Sequence, residues 1–300
     1  MGPGFLGSHI GHELLRREYR VVTLSRTRPS GLAADLLKGA EVVVGDAGVG
    51  ATLAPLVPEA DHIVFGVSSL MPGEADAEPE LDMALILRPL LELLSQLRGR
   101  STALTLLSSG GTVYGKPEVF PTPESAPTNP VSSYGITRLT TEKFVLRHGI
   151  LESSSVRVLR VSNAYGPGQT AARGQGFIAA ALEHCQSGAP ITIFGDGSVS
   201  RDFVHVGDVA NAVAALVSVE HTPPVINIGS GTTTTINEVV EIVREVTHLP
   251  LRVELRSGRA FDVSRVHLDV ELVSSLVPFE PRDLSIGIRG TWEHMLQGRP

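Results

Sequence analysis

Tyr134 and Arg138, in the stretch SYGITR, are the residues whose types and spacing most clearly suggest chemistry. They stand four residues apart in a segment with a helical pattern, so both side chains would share one helix face. A phenol is a poor base at neutral pH, because it loses its proton at about pH 10. A cation fixed one turn away stabilises the phenolate and makes tyrosine a usable proton acceptor. The pair therefore indicates proton transfer.

A second group of small polar residues lies in LLSSGGTVYG, which runs from Leu106 to Gly115. The pattern predicts that a strand ends here with the hydroxyls of Ser108 and Ser109, and that Thr112 follows. Together with the tyrosine segment, this stretch forms the strongest candidate site in the sequence.

A glycine-rich turn opens the sequence with Gly2, Gly4 and Gly7, and Phe5 and Leu6 lie between the glycines. An apolar helical pattern follows it. Such a turn binds a dinucleotide pyrophosphate when a buried strand precedes it and aims the helix N-terminus at the phosphates. A helix cap or a tight turn would account for a lone turn of this kind equally well.

Polar residues follow the next two predicted strands. Ser25 and Arg26 stand where an NAD site usually carries an acid on the adenosine ribose, and serine followed by arginine could instead accept a 2'-phosphate. Asp46 could reach the adenine edge, although an aspartate in a plain turn is an alternative. The choice between NAD and NADP therefore stays open.

Composition excludes several classes of partner. The 300 residues are 42% apolar, which is enough for a large core, and the formal net charge is -7. Interspersed charges with an acidic balance argue against nucleic acid and anionic membranes, which select basic surfaces. Ten scattered histidines lack the spacing of a metal site, so no metal is expected. Cys185 is the single cysteine and fits a reducing compartment, so we expect a cytoplasmic protein without a transmembrane segment.

Alternating strand and helix patterns predict an α/β fold with a parallel sheet that is covered on both faces. The predicted strands are 20–24, 41–44, 62–67, 102–107, 155–161 and 225–228, and the main predicted helices are 81–97, 177–186, 208–219 and 236–246. Thr235 and Glu238 form a capping-box pattern. Residues 1–165 are predicted to form a dinucleotide-binding domain to which 203–232 returns, and 166–300 mainly a smaller lobe.

Eight stretches in order carry a resemblance to a known family: GPGFLG, GD at 45–46, SSGGTVYG, SYGITR, RVSNAYGPG, GDGSVSRDFVHVGDV, INIGSG and GRAFDVSRVHLD. The chain resembles the extended short-chain dehydrogenases/reductases, and within them the UDP-glucose 4-epimerases and related nucleotide-sugar epimerases. The resemblance covers residues 2–269. It implies a Rossmann-type, doubly wound sheet, a bound nicotinamide cofactor, a UDP-linked sugar substrate and a homodimer.

The resemblance also implies roles for individual residues. Tyr134 would take the proton of the sugar 4-hydroxyl, and Asn163, Arg201 and Arg259 would contact the nucleotide-sugar diphosphate. Guanidinium groups suit that role because they offer paired donors to phosphate oxygens. The remaining positions that it implies are Asp262 for substrate, and Ser69, Ser108 and the glycine turn for the cofactor.

Two positions depart from the family pattern. The family places lysine four residues after the tyrosine, where this sequence has Arg138, and a planar guanidinium is not interchangeable with an ammonium. Many relatives carry the catalytic serine or threonine at the place of Gly110, so Thr112 or Ser109 would have to supply that hydroxyl.

The site therefore favours the simplest reaction of the family. Gly111 and Thr112 stand where dehydratases carry an acid and a base, and no motif surrounds Cys185. What remains is oxidation and reduction of the sugar at its 4-position, which is 4-epimerisation. A binding protein that has lost catalysis and a 4-keto reductase of the same fold are the alternatives.

The resemblance also implies a strand before the glycine turn. Met1 falls where the first glycine of the family's turn should be, so the strand at the centre of the sheet would lie upstream of the sequence given. A strand that is buried on both faces contributes about 1.5 to 3 kcal/mol for each large side chain. We expect the fold to need that strand.

Overall fold

The computed structural model describes residues 2–67, 70–170, 176–258 and 263–297. Three residues of the predicted site, Ser69, Arg259 and Asp262, lie outside the described residues. Among the described residues, no helix is long and apolar enough to cross a membrane.

Helices and strands alternate along much of the chain. The helices are α1 Phe5–Arg16, α2 Leu32–Leu36, α3 Gly50–Leu53, α4 Pro72–Ala77, α5 Pro79–Gln96, α6 Ser133–Glu152, α7 Phe177–Ser187, α8 Val206–Val217, α9 Ile236–Thr247, α10 Glu271–Leu276 and α11 Leu284–Gln297, with a 3-10 turn at Val57–Glu59. The strands are β1 Val22–Ser25, β2 Glu41–Val44, β3 His62–Phe65, β4 Ala103–Ser109, β5 Val156–Val161, β6 Asn163–Tyr165, β7 Ile191–Phe194, β8 Ser200–Arg201, β9 Phe203–His205, β10 Val225–Ile228, β11 Thr234–Thr235 and β12 Val253–Arg256.

The main sheet has the strand order β10–β5–β4–β3, and every pair in it is parallel. Helices cover both faces. On one face Leu107 and Leu159 pack with residues of α1 and α8, and on the other Leu104 and Leu106 pack with residues of α5 and α6. The predicted α/β fold with a parallel sheet is therefore confirmed, and its carboxyl edge carries the ends of β4 and β5.

The sheet is interrupted beside β3. Strands β1 and β2 form a separate parallel pair, and among the described residues no strand joins β1 to β3. A cavity of about 1000 Å³ lies between the two pieces and is lined from both sides, by Val22 and Leu24 of β1 and by His62 and Ile63 of β3.

The second half of the chain builds a separate apolar cluster. Helices α7, α9 and α11 pack there with β7, which pairs in parallel with β12. Strand β10 joins β5 of the main sheet, although it follows α7 and β7 in the chain. The division into two domains at residue 165 stays a prediction.

Local signals account for several helix starts. Thr235 caps α9, and its side chain and that of Glu238 form the reciprocal hydrogen bonds of a capping box, as predicted. Helix α8 begins at Val206, two residues before the predicted start, because His205 caps it: its Nδ1 accepts from the Gly207 amide at 3.0 Å. A histidine cap is outside the usual set of capping residues, so the pattern did not indicate it.

Candidate active site

A cavity of about 480 Å³ lies where the carboxyl ends of β4 and β5 meet the second half of the chain. Ligands of open α/β folds bind outside the carboxyl ends of the strands, so this is the expected place for a site. The cavity gathers seven of the predicted residues, which come from separate segments: Phe5, Leu6, Ser108, Ser109, Thr112, Tyr134 and Asn163, and Arg201 adds an eighth.

The tyrosine helix begins beside this cavity. The Ser132 hydroxyl caps α6 by accepting from the Gly135 amide at 3.2 Å, which fixes the first turn that carries Tyr134. Tyr134 is partly exposed and lines the cavity. Its phenol is therefore open to a ligand from the cavity side.

Arg138 lies one turn further along α6, on the same side as Tyr134. Its guanidinium carbon is 4.8 Å from the centroid of the Tyr134 ring, and the side chain is only 6% exposed. Nη1 donates to the Val67 carbonyl at 3.4 Å, and Nε has no hydrogen-bond partner among the described residues. The predicted shared helix face is confirmed, and it takes the form of a cation stacked on the ring.

The hydroxyls of the other three tyrosines form hydrogen bonds within the protein. Burial raises the pKa of the Tyr114 hydroxyl, which donates to Asn227 at 2.7 Å. Burial likewise raises the pKa of Tyr165, whose hydroxyl donates to the Leu284 carbonyl. The Tyr19 hydroxyl pairs with Ser218, and Tyr19 is not among the residues that line the cavity. Of the four tyrosines in the chain, Tyr134 and Tyr165 line the cavity, and the Tyr165 hydroxyl is bound to Leu284.

Ser109 and Thr112 face the cavity from a tight turn at the end of β4. The amides of Thr112 and Val113 both donate to the Ser109 carbonyl, at 3.2 and 3.1 Å. This turn brings both residues to the cavity that Tyr134 lines.

Gly110, within that turn, is packed too closely for a side chain. A Cβ there would lie 2.6 Å from Leu268 Cδ1 and 2.9 Å from the Arg160 carbonyl oxygen. The departure from the family pattern is therefore built into the surrounding packing, and a hydroxyl at this place would require Leu268 and the β5 backbone to move.

Ser108 is tied into a buried ion pair. Its hydroxyl donates to the Glu142 carboxylate at 2.5 Å, and Glu142 also accepts from Nη2 of Arg160 at 2.8 Å. Glu142 and Arg160 are fully or almost fully buried, and the Arg160 guanidinium also stacks on the Tyr114 ring at 4.7 Å. Tyr134, Arg138 and Glu142 follow one another every four residues, so this network fixes the helix face that carries the tyrosine.

The glycine turn lies between β1 and β3 and has the close approaches that require glycine. The Gly2 amide donates to the Leu24 carbonyl at 3.1 Å, and a Cβ on Gly2, whose φ is +82°, would lie 2.3 Å from the Gly66 oxygen. A Cβ on Gly7 would lie 2.0 Å from the Gly2 oxygen. The turn is therefore tight.

Helix α1 presents its N-terminus to the cavity. The first backbone bond within the helix runs from the Ser8 amide to the Gly4 carbonyl, so the earlier amides have no partner within the helix. A Cβ on Gly4 would meet no heavy atom of the described residues within 4 Å, and no acidic residue stands in the first turn. This open, donor-rich end suits an anion.

Ser25 is the last residue of β1 and Arg26 follows it, while Asp46 lies two residues after β2. None of the three is among the residues that line the cavity. The Ser25 hydroxyl donates to the Thr27 carbonyl at 2.5 Å, and Arg26 is exposed. The Asp46 carboxylate accepts from the Gly48 amide at 2.7 Å. This is the bond of an aspartate in a plain turn, the alternative that the sequence left open.

Asn163 and Arg201 also line the cavity, and a Cβ on Gly111 of the neighbouring turn would lie 3.0 Å from Asn163 Oδ1. Asn163 is the first residue of β6, and its backbone amide donates to the Asp202 carbonyl at 3.0 Å. Nη1 of Arg201 donates to the carbonyls of Ser200 and Val263, at 2.9 and 2.7 Å. These bonds fix the arginine beside the cavity that Tyr134 also lines.

Several lining residues had no sequence signal. Gln169, Phe177, Thr192 and Phe194 line the cavity from the second half of the chain. The Gln169 amide nitrogen donates to the Ala164 carbonyl at 3.0 Å, and its Oε1 is buried without a partner among the described residues. Their positions depend on how the second half packs over the sheet, which motifs do not report.

The fold and this edge of the sheet define a Rossmann-type α/β protein. The chain belongs to the NAD dependent epimerase/dehydratase family, whose sequence profile matches residues 2–229.

Individual relatives span almost the whole chain. A putative UDP-glucose 4-epimerase of Methanocaldococcus jannaschii is 28% identical over 96% of this chain and 94% of its own. A dTDP-4-dehydro-6-deoxy-D-allose reductase of Streptomyces bikiniensis is 26% identical over 96% of this chain and 92% of its own. The crystal structure of a UDP-glucose 4-epimerase of Thermotoga maritima with UDP-glucose superimposes with a TM-score of 0.91, at 27% identity, over 99% of this chain and 97% of that one.

Proposed function

We propose that this protein is a nucleotide-sugar 4-epimerase that works with bound NAD on a UDP-linked sugar. The observation that carries the proposal is that Tyr134, Thr112, Ser109, Asn163 and Arg201 line one cavity, beside the N-terminus of α1. Relatives named as UDP-glucose 4-epimerases and the UDP-glucose complex of the Thermotoga enzyme support the choice of substrate.

NAD fits the residues at the carboxyl edge of the sheet. The tight glycine turn and the donor-rich start of α1 suit a pyrophosphate, with Gly2, Gly4 and Gly7 allowing close approach and Phe5 and Leu6 beside it. We assign Ser25, Arg26 and Asp46 to the adenosine end and Ser108 to the nicotinamide end. When bound, NAD supplies hydride acceptance and return at the sugar 4-position.

The protein itself removes and returns the proton of the sugar 4-hydroxyl. Tyr134 takes it as the 4-position is oxidised and returns it as the 4-position is reduced, so no net proton is consumed. Arg138 provides the positive charge next to the phenolate that this step creates. Thr112 or Ser109 donates a hydrogen bond to the same oxygen, since both residues line the cavity together with Tyr134.

Arg201 and Asn163 hold the diphosphate of the substrate. Arg201 offers guanidinium donors and Asn163 offers a side-chain amide in the same cavity. Fixing the diphosphate leaves the sugar free to turn over about its link to the phosphates, which is what return of the hydride to the other face requires. Arg259 and Asp262 remain proposed substrate residues on the family pattern alone.

A catalytically impaired nucleotide-sugar-binding protein is the second candidate. The crowded Gly110 position and the replacement of lysine by Arg138 favour it. It predicts tight UDP binding without turnover. A 4-keto reductase, as suggested by the Streptomyces relative, would need a reduced cofactor in stoichiometric amount, whereas an epimerase regenerates its cofactor in each cycle.

We also propose that the enzyme is a cytoplasmic homodimer that pairs through α5 and α6. These helices pack on each other and leave apolar side chains exposed: Leu81 and Leu91 on α5, at 42% and 43%, and Ile136 and Phe144 on α6, at 52% and 37%. An exposed apolar face on neighbouring helices marks an interaction surface.

The test combines cofactor identity with turnover. The purified protein is denatured, the released cofactor is identified by mass spectrometry, and the conversion of UDP-glucose to UDP-galactose is followed without added cofactor. The proposal expects NAD and turnover, and Tyr134→Phe should retain NAD while losing turnover. UDP binding without turnover would favour the second candidate. Oxidation of UDP-glucose that stops once one equivalent of reduced cofactor has formed would favour the reductase.

A further inference from the structure

Asp202 is fully buried at a point where four segments of the chain meet. It lies between β8, which ends at Arg201, and β9, which begins at Phe203. The proton transfer proposed for Tyr134 does not involve its carboxylate. A buried carboxylate costs free energy unless hydrogen bonds or an opposite charge compensate it, so its partners indicate why it is there.

The two carboxylate oxygens bind two segments that are far apart in the sequence. Oδ1 accepts from the backbone amide and the hydroxyl of Ser230, at 2.7 and 2.9 Å, and Oδ2 accepts from the Leu268 amide at 3.1 Å. All three partners are donors, which suits an ionised carboxylate. Burial raises the pKa of the Asp202 carboxyl, and these donors oppose that shift. The packing is close, since a Cβ on Gly229 would lie 2.5 Å from Oδ2.

The backbone of Asp202 holds Asn163. Its carbonyl accepts from the Asn163 amide at 3.0 Å and from the Ser162 hydroxyl. Asn163 and Phe203 are partners in the parallel pair of β6 and β9. A shift of the backbone at residue 202 would therefore move Asn163, which lines the cavity.

The same backbone carries Arg201, whose side chain lies against a segment that Asp202 also binds. Nη1 of Arg201 donates to the Val263 carbonyl at 2.7 Å. Residues 263–268 contact the chain on both sides of the arginine, through backbone hydrogen bonds with Ser200 and through the bond to Oδ2 of Asp202. Asp202 thus fixes both the backbone of Arg201 and the segment that orients its guanidinium.

We propose that Asp202 is a positioning residue for the diphosphate of the substrate: its carboxylate holds Arg201 and Asn163 in the places from which they bind the phosphate groups. This rests on the proposed function, which assigns the diphosphate to these two side chains. Asp202 itself is not among the residues that line the cavity. Its removal should therefore weaken binding of the diphosphate and leave binding of the nucleoside unchanged.

The experiment compares Asp202→Asn with Asp196→Asn. Asparagine keeps the shape of aspartate but replaces one oxygen with an NH2 group, which at residue 202 would face another donor. Asp196 is the matched control, because its exposed carboxylate accepts from the amide and the hydroxyl of Ser198, at 2.9 and 2.5 Å. Titration calorimetry measures the binding of UDP and of uridine, which lacks the diphosphate.

For Asp202→Asn we expect the Kd of UDP to rise about 10- to 100-fold, as the loss of one hydrogen bond to a charged group would produce. The Kd of uridine should stay within about twofold of the parent value, which general loosening of the cavity would not allow. The KM for UDP-glucose should rise with the Kd of UDP, while kcat falls by less than about threefold. Asp196→Asn should bind both ligands like the parent.

An unchanged Kd of UDP in folded Asp202→Asn, or equal losses for UDP and uridine, would overturn the proposal. If circular dichroism shows that this variant does not fold, Ser230→Ala decides, because it removes the hydroxyl bond to Oδ1 and keeps both backbone bonds to the carboxylate. It should raise the Kd of UDP about threefold or more and leave that of uridine unchanged, and an unchanged Kd of UDP would overturn the proposal.

The parent chain separates this proposal from the proposed function. A parent that binds no UDP would overturn the proposed function and the role of Asp202 with it. A parent that binds UDP, together with variants that bind it equally well, would overturn the role of Asp202 alone.

Discussion

The guanidinium carbon of Arg138 lies 4.8 Å from the centroid of the Tyr134 ring, so the cation of this site stacks on the phenol from one helical turn away. The arginine is buried and donates to the Val67 carbonyl, while its Nε has no partner among the described residues. A lysine in this place would carry its charge at the end of a flexible stem, whereas the planar group is fixed by packing.

Removing the charge at residue 138 should affect turnover more than cofactor binding. Arg138→Met keeps much of the side-chain volume and removes the cation, so we expect kcat to fall by about 10²- to 10⁴-fold. The amount of NAD released on denaturation should stay at the parent level. Steady-state kinetics and quantification of the released cofactor measure both effects.

Arg138→Lys is the matched control for that experiment. If the charge is the essential property, this variant should retain activity within about tenfold of the parent, which corresponds to about 1.4 kcal/mol. A higher rate with lysine would mean that the guanidinium geometry limits the enzyme. An equally large loss in both variants would contradict the role assigned to the charge.

Gly110→Ser should not restore a catalytic hydroxyl. The new Cβ would meet Leu268 and the Arg160 carbonyl, and overpacking of this kind costs about 1 to 3 kcal/mol of stability. We expect a lower melting temperature and no gain in rate. Gly290→Ala on the exposed face of α11 is the control, and it should stabilise by about 0.5 to 1 kcal/mol. A faster Gly110→Ser enzyme would show that Thr112 and Ser109 do not replace the family's hydroxyl.

The buried ion pair of Glu142 and Arg160 should stabilise the fold only when both charges are present. Glu142→Leu leaves the arginine charge buried alone, so we expect a loss of about 3 to 5 kcal/mol in the free energy of unfolding. Glu142→Leu combined with Arg160→Met removes both charges and should recover most of that loss. Denaturant unfolding of the two single variants and the double variant measures the coupling, and additive losses would contradict it.

Stability should fall as the pH drops from about 6.5 to 4, partly because of His205. Burial, followed by the nearby Arg282 charge, lowers the pKa of His205 from 6.5 to about 4. The unfolded chain therefore binds a proton in this window that the folded chain does not. This favours unfolding by up to about 1.4 kcal/mol for each pH unit. The neutral Nδ1 also caps α8, so protonation would remove that acceptor.

His205→Asn separates the cap from the titration. Asparagine is a good capping residue and does not titrate, so the variant should keep α8 while its stability depends less steeply on pH between about 6.5 and 4. His62, whose pKa burial also lowers to about 4, accounts for part of the slope that remains. Urea unfolding at several pH values tests this, and an unchanged slope in the variant would contradict the account of His205.

The fold could be predicted from the sequence because its signals are local. Strand β2 at Glu41–Val44 and strand β10 at Val225–Ile228 have the predicted bounds, since short β-branched runs end at turn residues. The capping box of Thr235 and Glu238 fixed the start of α9. The cap of α8 by His205 was missed, because it depends on a buried imidazole rather than on a preferred residue type.

The candidate site was predictable where motifs carry it, and only there. Tyr134, Thr112 and Asn163 line one cavity, because Tyr134 lies in the first turn of α6, Asn163 begins β6 and Thr112 lies in the turn after β4. Gln169 and Phe194 had no signal, because packing between the two halves of the chain brings them to the cavity. The crowding at Gly110 was likewise invisible, since it arises from Leu268, which is distant in the sequence.

The most direct test of the account uses UDP-glucose that carries deuterium at the sugar 4-position. If Tyr134 exchanges only the hydroxyl proton while the 4-position is oxidised and reduced in the same cavity, the UDP-galactose formed should retain the deuterium at that position. Tyr134→Phe should form no product. Loss of the deuterium to solvent, or product formation by the Tyr134→Phe variant at the parent rate, would contradict the account.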